Sequence, residues 1–390
     1  MSPRVLGTVC ELNPLHRGHA RLLSFMREAA GPDGIVVCAM SGHATQRGEA
    51  ALLDPYLRAK TALLHGADLV AEVPFPWSCG AMEHFALGGV WTLSGLGVDT
   101  LCFGSESGDG EHLRTLSAME DAKDLPAAQA GMGTPQAFAK QWQTLAGEVP
   151  GPNDRLGIAY LRAAEKLGLE WNLQVVKRPD THHLMEADGE NPSSAFIRRC
   201  LREKDPAWEA CVPSDVKQTL LAPGGGPDPS KSEELLFAYY RLTPAGIYRD
   251  CSGMGGGVAQ RVEKCAAGTA DYASFFSALR TKKYTDSFFR RTLLFGMTGV
   301  REAQLKKKPS YFHLLGLSSA GQRYLSGLKK DLRHVLMPAR LFDRDLTQDG
   351  REQHRAELAM LAWVSAAYEP GLAAGDLEKK HPVLLGDACV

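Results

Sequence analysis

Arg4-Val5-Leu6-Gly7-Thr8-Val9-Cys10-Glu11-Leu12-Asn13-Pro14-Leu15-His16-Arg17-Gly18-His19-Ala20-Arg21-Leu22-Leu23 reads as a strand, a tight loop and a helix in quick succession. Val5 to Cys10 is an apolar run of buried-strand length. Asn13-Pro14 is a turn signal. Leu22, Leu23, Met26 and Ala29 then recur with helical spacing. His16 and His19, three residues apart, share one face of that helix at its start. Gly18 between them leaves room for a ligand to approach. A helix start adds unpaired N–H groups and the positive end of the dipole. The combination predicts an anion cradle with two imidazole donors, suited to phosphoryl or nucleotidyl transfer. No Gly-Lys-Ser/Thr follows, so it is not a Walker loop. A histidine pair alone would equally suit a metal or an ordinary surface. The strand, the turn and the intervening glycine favour the cradle.

The remaining chain sets bounds on this reading. A length of 390 residues predicts two or three domains. Net charge is −1 and 44% of residues are apolar, as in soluble globular proteins. No apolar run is long enough to cross a bilayer, and no signal peptide is visible. Nine cysteines are scattered without Cys-x-x-Cys spacing. That predicts free thiols in a cytoplasmic protein, with neither disulfides nor a metal site.

Further strand-like runs lie at Ile35 to Met40, Asp68 to Val73, Thr100 to Phe103 and Trp171 to Val176, with helical patterns between them. This predicts an α/β fold with a doubly wound parallel sheet. Ligands would then sit beyond the strand ends, where strands one and four adjoin. Gly104, directly after the fourth run, would face His16 and His19. The loop Ser41 to Glu49 carries Gln46, Arg47 and Glu49, able to hold a small polar substrate; an ordinary surface loop is the plainer reading. Gly151-Pro152-Asn153-Asp154 starts a helix, and Asn153 there is either a cap or a contact to base or ribose. Pro192-Ser193-Ser194-Ala195-Phe196-Ile197-Arg198-Arg199 offers a second anion site through Ser194 and Arg198.

Leu221 to Pro229 is rich in proline and glycine, which predicts a linker over 206–232. Ser230-Lys231-Ser232-Glu233 reads as a capping box for a helix over Glu234 to Arg241. Residues 1–205 would form the catalytic domain, and 233–390 a mostly helical one. Between residues 280 and 340 stand fourteen Lys or Arg against three acids, a local charge of +11. Such asymmetry predicts a polyanionic partner, with RNA favoured over a merely solvated face. Lys282, Lys283, Arg290 and Arg291 are the candidate contacts. Tyr284, Tyr311, Phe312 and His313 are candidates for stacking on bases.

His16-Arg17-Gly18-His19 after a first strand resembles the His-x-Gly-His signature of the nucleotidylyltransferase superfamily, which has a HUP-like catalytic domain. Ser194 to Arg198 looks like that superfamily's Ser-x-x-Ile-Arg element. The likeness is closer still to one family. Glu11 through His19, Ser41-Gly42, Gln46 to Glu49, Arg58-Ala59-Lys60, Gly66 to Val70, Phe103 to Glu106, Pro152 to Asp154 and Thr281 to Thr285 resemble, in order, the tRNA(Met) cytidine acetate ligase family. The chain departs from that family at His43, Ala50, Phe288 and the glycine-rich Ser252 to Arg261. The resemblance implies an ATP-dependent ligase that forms acetyl-adenylate and acetylates N4 of the wobble cytidine of elongator tRNA(Met). It implies ATP with Mg²⁺, acetate and tRNA as partners, and His16 and His19 as catalytic groups. The implied ATP site is Val9, Cys10, Glu11, Leu12, Asn13, Pro14, Leu15, His16, Arg17, Gly18, His19, Ala20, Arg21 and Leu22, with Gly104, Asn153 and Arg178. Two alternatives remain open on sequence: a small-molecule adenylyltransferase or carboxylate ligase without RNA, and an RNA-binding protein with an idle catalytic domain.

Overall fold

The apolar runs become strands β1 (Val5–Cys10), β2 (Ile35–Ser41), β3 (Leu69–Val73), β4 (Thr100–Ser105) and β5 (Asn172–Lys177). Two later strands, β6 (Leu314–Ser318) and β7 (Val383–Leu385), join them in one sheet of order β5-β4-β1-β2-β3-β6-β7. The computed structural model describes residues 3–119, 135–178, 193–222, 227–328, 346–368 and 382–386. The pairs among β1 to β5 are parallel, as expected, while β6 runs antiparallel to β3. Because β1 pairs with both β2 and β4, the chain reverses its winding direction there. The crevice at the carboxyl end of β1 is therefore the switch point.

Continuous apolar strands need cover on both faces. One face packs Val5, Val37, Ala71 and Leu101 under helix α3 (Met82–Ser94) and the helix Pro152–Lys166. The other packs Leu6, Val36 and Val70 under α1 (Arg17–Ala30) and α2 (Pro55–Leu64). Each fully buried aliphatic side chain here contributes about 1.5–3 kcal/mol. Asp68, just before β3, ties the layers together. Its carboxylate accepts from Arg27 of α1 at 2.6 Å, from Val36 N at 2.9 Å and from Ser318 Oγ at 2.9 Å.

The second half is largely helical. Helices Pro229–Leu242, Val258–Ala267, Tyr272–Leu279, Asp286–Thr298 and Gln348–Ser365 enclose a core that includes Tyr240, Phe275, Phe289 and Trp363. It departs from the sequence reading in four ways. The expected linker 206–232 is folded over Pro206–Cys211 and Ser214–Leu221, because Trp208, Cys211 and Val216 are apolar enough to bury against α1 and α2's side of the sheet. Strands β6 and β7 return to the sheet of β1 to β5, so the two halves interlock. The helix expected from Glu234 starts at Pro229, capped by Asp228, whose carboxylate accepts from Ser230 N at 3.0 Å. Tyr311 and Phe312, read as base-stacking candidates, are 2% and 0% exposed and belong to the core.

Candidate active site

The loop after β1 is held from below by one guanidinium. Arg58 of α2 is 0% exposed. It donates to the carbonyls of Glu11 at 2.7 Å, Ser41 at 3.0 Å and Leu53 at 3.1 Å, and also to that of Gly42. A planar five-donor group suits a place where several carbonyls converge at strand ends. Asn13 locks the same loop sideways: its Oδ1 accepts from Leu52 N at 2.7 Å and its carbonyl from Arg198 at 2.7 Å.

His16 is the N-cap of α1. Its Nδ1 accepts from Gly18 N at 3.1 Å and His19 N at 3.3 Å. His19 Nδ1 in turn accepts from His16 N at 3.3 Å. This is a capping box built from two imidazoles in place of the usual Ser/Thr and Glu/Gln. Two amides expected to be free for an anion are therefore already satisfied by His16. The bonding fixes the tautomers, since a ring whose Nδ1 accepts carries its proton on Nε2. The rings stack with centroids 3.7 Å apart. Burial, then the neighbouring His19 and Arg178, holds His16 well below the usual imidazole range. Burial and Arg178 push His19 down to about 3. At neutral pH both rings are uncharged Nε2–H donors.

A cleft of about 200 Å³ opens beside this pair at the ends of β1 and β4. Of the predicted residues, Val9, Cys10, Glu11, Leu12, His19 and Leu22 line it, with Gly104, Asn153, Arg178 and Ser194 completing the wall. Asn13, Pro14, Leu15, His16, Arg17, Gly18, Ala20, Arg21 and Arg198 are outside its lining. Leu15 is core, His16 stacks against His19, Arg17 donates to Ala210 O at 2.7 Å, and Arg198 is committed to Asn13. Gly104 lets the Arg178 side chain lie closely across the strand end, where a Cβ would come within 3.2 Å of it.

Sequence reasoning missed part of the wall. Glu106 binds the first turn of helix Pro152–Lys166 through the amides of Asn153 and Asp154 and through the Asn153 side chain. The buried Asp154 carboxylate accepts from the amides of Glu106 and Ser107, each at 3.0 Å, and from Ser105 Oγ. Together they freeze the turn after β4. Thr8, Gln46, Phe85, Phe103, Leu156 and Tyr160 also line the cleft. Gln46 lies in the bent polar loop whose residues the sequence marks as able to hold a small polar substrate, whereas the apolar residues look like core.

The predicted RNA contacts divide. Lys282 and Lys283 are exposed. Arg290 instead pairs with Glu49 at 3.1 Å, and the Arg291 side chain donates to Gln46 O at 3.4 Å. Both arginines brace the loop that lines the cleft. Gly48, at φ +77°, lets that loop press against the backbone of Arg290 and Arg291. Lys329, Lys330, Arg333 and Arg340 lie outside the described residues.

A family model described as HIGH Nucleotidyl Transferase matches residues 3–362. A tRNA(Met) cytidine acetate ligase of Syntrophotalea carbinolica is 33% identical, over 92% of this chain and 91% of its own length. The chain belongs to the tRNA(Met) cytidine acetate ligase family. A second member, from Halalkalibacterium halodurans, is 31% identical over 89% of the chain and 90% of its own. Crystal structures of Thermotoga maritima TmcAL superpose with TM-scores of 0.85 for the apo form and 0.84 for a form bound with alpha-thio ATP. Both are 27% identical and cover 98% of this chain and 100% of their own. Among the described residues no helix is long and apolar enough to cross a membrane.

Proposed function

We propose that this chain is an ATP-dependent ligase that acetylates N4 of the wobble cytidine of elongator tRNA(Met). An acetate oxygen attacks the α-phosphorus of ATP, pyrophosphate leaves, and acetyl-adenylate forms. The N4 amine then attacks the acetyl carbon, AMP leaves and the amine gives up a proton. The observation that carries this reading is the pair of neutral imidazoles, bonded through Nδ1 at 3.1–3.3 Å so that only Nε2–H remains to donate, with Arg178 across Gly104. Fixed donors of this kind stabilise charge that grows on phosphate oxygens without having to reorganise. His19 acts directly from the cleft wall, and His16 acts beside it while holding the helix start. Ser194 and the residues after β4 bound the nucleotide. Mg²⁺ accompanies the triphosphate; it is an ion that keeps several waters and is commonly held through substrate phosphates. That fits a cleft whose lining offers no three-ligand cluster among the described residues.

Residues 1–205 act as the catalytic part in this reading. The helical part delivers the RNA through Lys282 and Lys283, whereas Arg290 and Arg291 transmit its position to Gln46. Bulk tRNA incubated with ATP, acetate and the protein, then digested and analysed by mass, tests the proposal. N4-acetylcytidine is the expected product. ATP consumed without a modified nucleoside would favour a small-molecule ligase. No turnover with any carboxylate would overturn the ligase reading.

A further inference from the structure

We propose that Glu72, His313 and Glu357 form a second, separate site that holds one divalent transition-metal ion. Glu72 lies on β3, His313 immediately precedes β6, and Glu357 sits on the helix Gln348–Ser365. One ligand atom from each lies within 4.8 Å of the other two. Glu72 and Glu357 are 7% and 6% exposed. The three border a cavity of about 20 Å³, together with His43 and Tyr56. That volume is sufficient for one ion or water, since about 10–15 Å³ is the lower limit for a water. None of its lining residues is shared with the ATP cleft.

The two carboxylates are unequally provided for. Glu357 accepts from Tyr311 Oη at 2.7 Å and pairs with His313 Nε2 at 2.7 Å. Glu72 makes no side-chain hydrogen bond among the described residues, although its backbone N–H donates to His313 O at 2.8 Å. Gly42 leaves the space that a Glu72 carboxylate oxygen occupies, where a Cβ would collide with it. A second buried carboxylate beside the first is costly unless a cation sits between them. One imidazole nitrogen and two carboxylate oxygens form a donor set that zinc and its neighbours accept, leaving a fourth position for water. The ion would join three elements distant in sequence and fix the loop that carries His43 at this cavity and Gln46 at the ATP cleft.

Cobalt titration of the chelator-stripped full-length protein tests this. Expected is saturable visible absorption at one Co²⁺ per chain, displaced by Zn²⁺, and a rise in Tm with Zn²⁺. Glu72→Gln and His313→Ala, checked for folding by circular dichroism, should bind at least about tenfold more weakly, since even residues that only support metal ligands change affinity 10- to 100-fold. A His16→Ala/His19→Ala variant should bind as the parent does. The wild-type arm decides the question even if the cavity variants do not fold. Absence of saturable Co²⁺ or Zn²⁺ binding to the wild-type protein would overturn the proposal. So would equal binding by folded Glu72→Gln and His313→Ala, or loss of the ion from the His16/His19 variant alone.

Discussion

The cleft beside β1 and the basic segment that starts at residue 280 both present charged and aromatic side chains, but they satisfy them over different distances. At the cleft, His16 and His19 settle each other's Nδ1 atoms within four residues of chain. In the basic segment, Arg290 and Arg291 find partners at Glu49 and Gln46, across the molecule. Lys307 pairs with Asp349 at 2.8 Å, and Arg280 with Asp286 at 2.7 Å. A local motif is its own context, whereas a charge run acquires meaning only once the fold has claimed some of its members. Lys282, Lys283, Lys306 and Lys308 of the described segment stay exposed.

The contrast is broken most severely at Arg58, which holds the β1 loop on the cleft side through the carbonyls of Glu11, Ser41, Gly42 and Leu53. Arg58→Met leaves four converging carbonyls without this donor, and each buried acceptor left unsatisfied costs about 1–3 kcal/mol. Urea unfolding should show that loss, and an unchanged midpoint would count against Arg58 as the support of the β1 loop. Asp154→Ala is expected to cost about 1–3 kcal/mol, the range for leaving buried donors unsatisfied. It should also raise the KM for ATP, because the turn bearing Gly104 is freed; steady-state kinetics at varied ATP measures this.

Lys282→Ala with Lys283→Ala sharpens the other side. Binding of tRNA should weaken, and the slope of log affinity against log salt should become shallower by about 1–2. Pyrophosphate exchange into ATP should be unaffected. An unchanged salt slope would remove this pair from the RNA surface.

A further test lies in the pH dependence of stability. The folded-state pKa of His19 lies near 3 against an ordinary 6.5, so on acidification the unfolded chain takes up this proton first. Its contribution to stability is complete above pH about 6.5 and is lost as pH falls toward 3. His19→Gln should flatten the dependence of the urea midpoint on pH within that window; identical profiles would contradict the assignment.

The strands β1 to β5, the helix after β1 and the position of the cleft were legible because each follows from a short apolar run and its flanking turn. Gly104, Asn153 and Arg178 were legible through family likeness, and the structure gathers them with His19. Glu106 and Asp154 were not, because a carboxylate that caps a neighbouring helix looks like any surface acid until the two elements meet. The folded stretch 206–221 was hidden by the prolines and glycines beside it, although Trp208, Cys211 and Val216 supply its apolar face. Strand β6 was hidden because Leu314–Ser318 is short and lies in a helical region, and only its antiparallel pairing with β3 reveals it. Glu72, His313 and Glu357 have no common spacing at all.

Pyrophosphate exchange into ATP by folded His19→Ala, with acetate present and tRNA absent, tests the central claim most directly. Loss of one well-placed donor predicts a fall of about 10²- to 10³-fold. Exchange at the wild-type rate would contradict the claim that the neutral imidazole on the cleft wall stabilises the breaking phosphate bond.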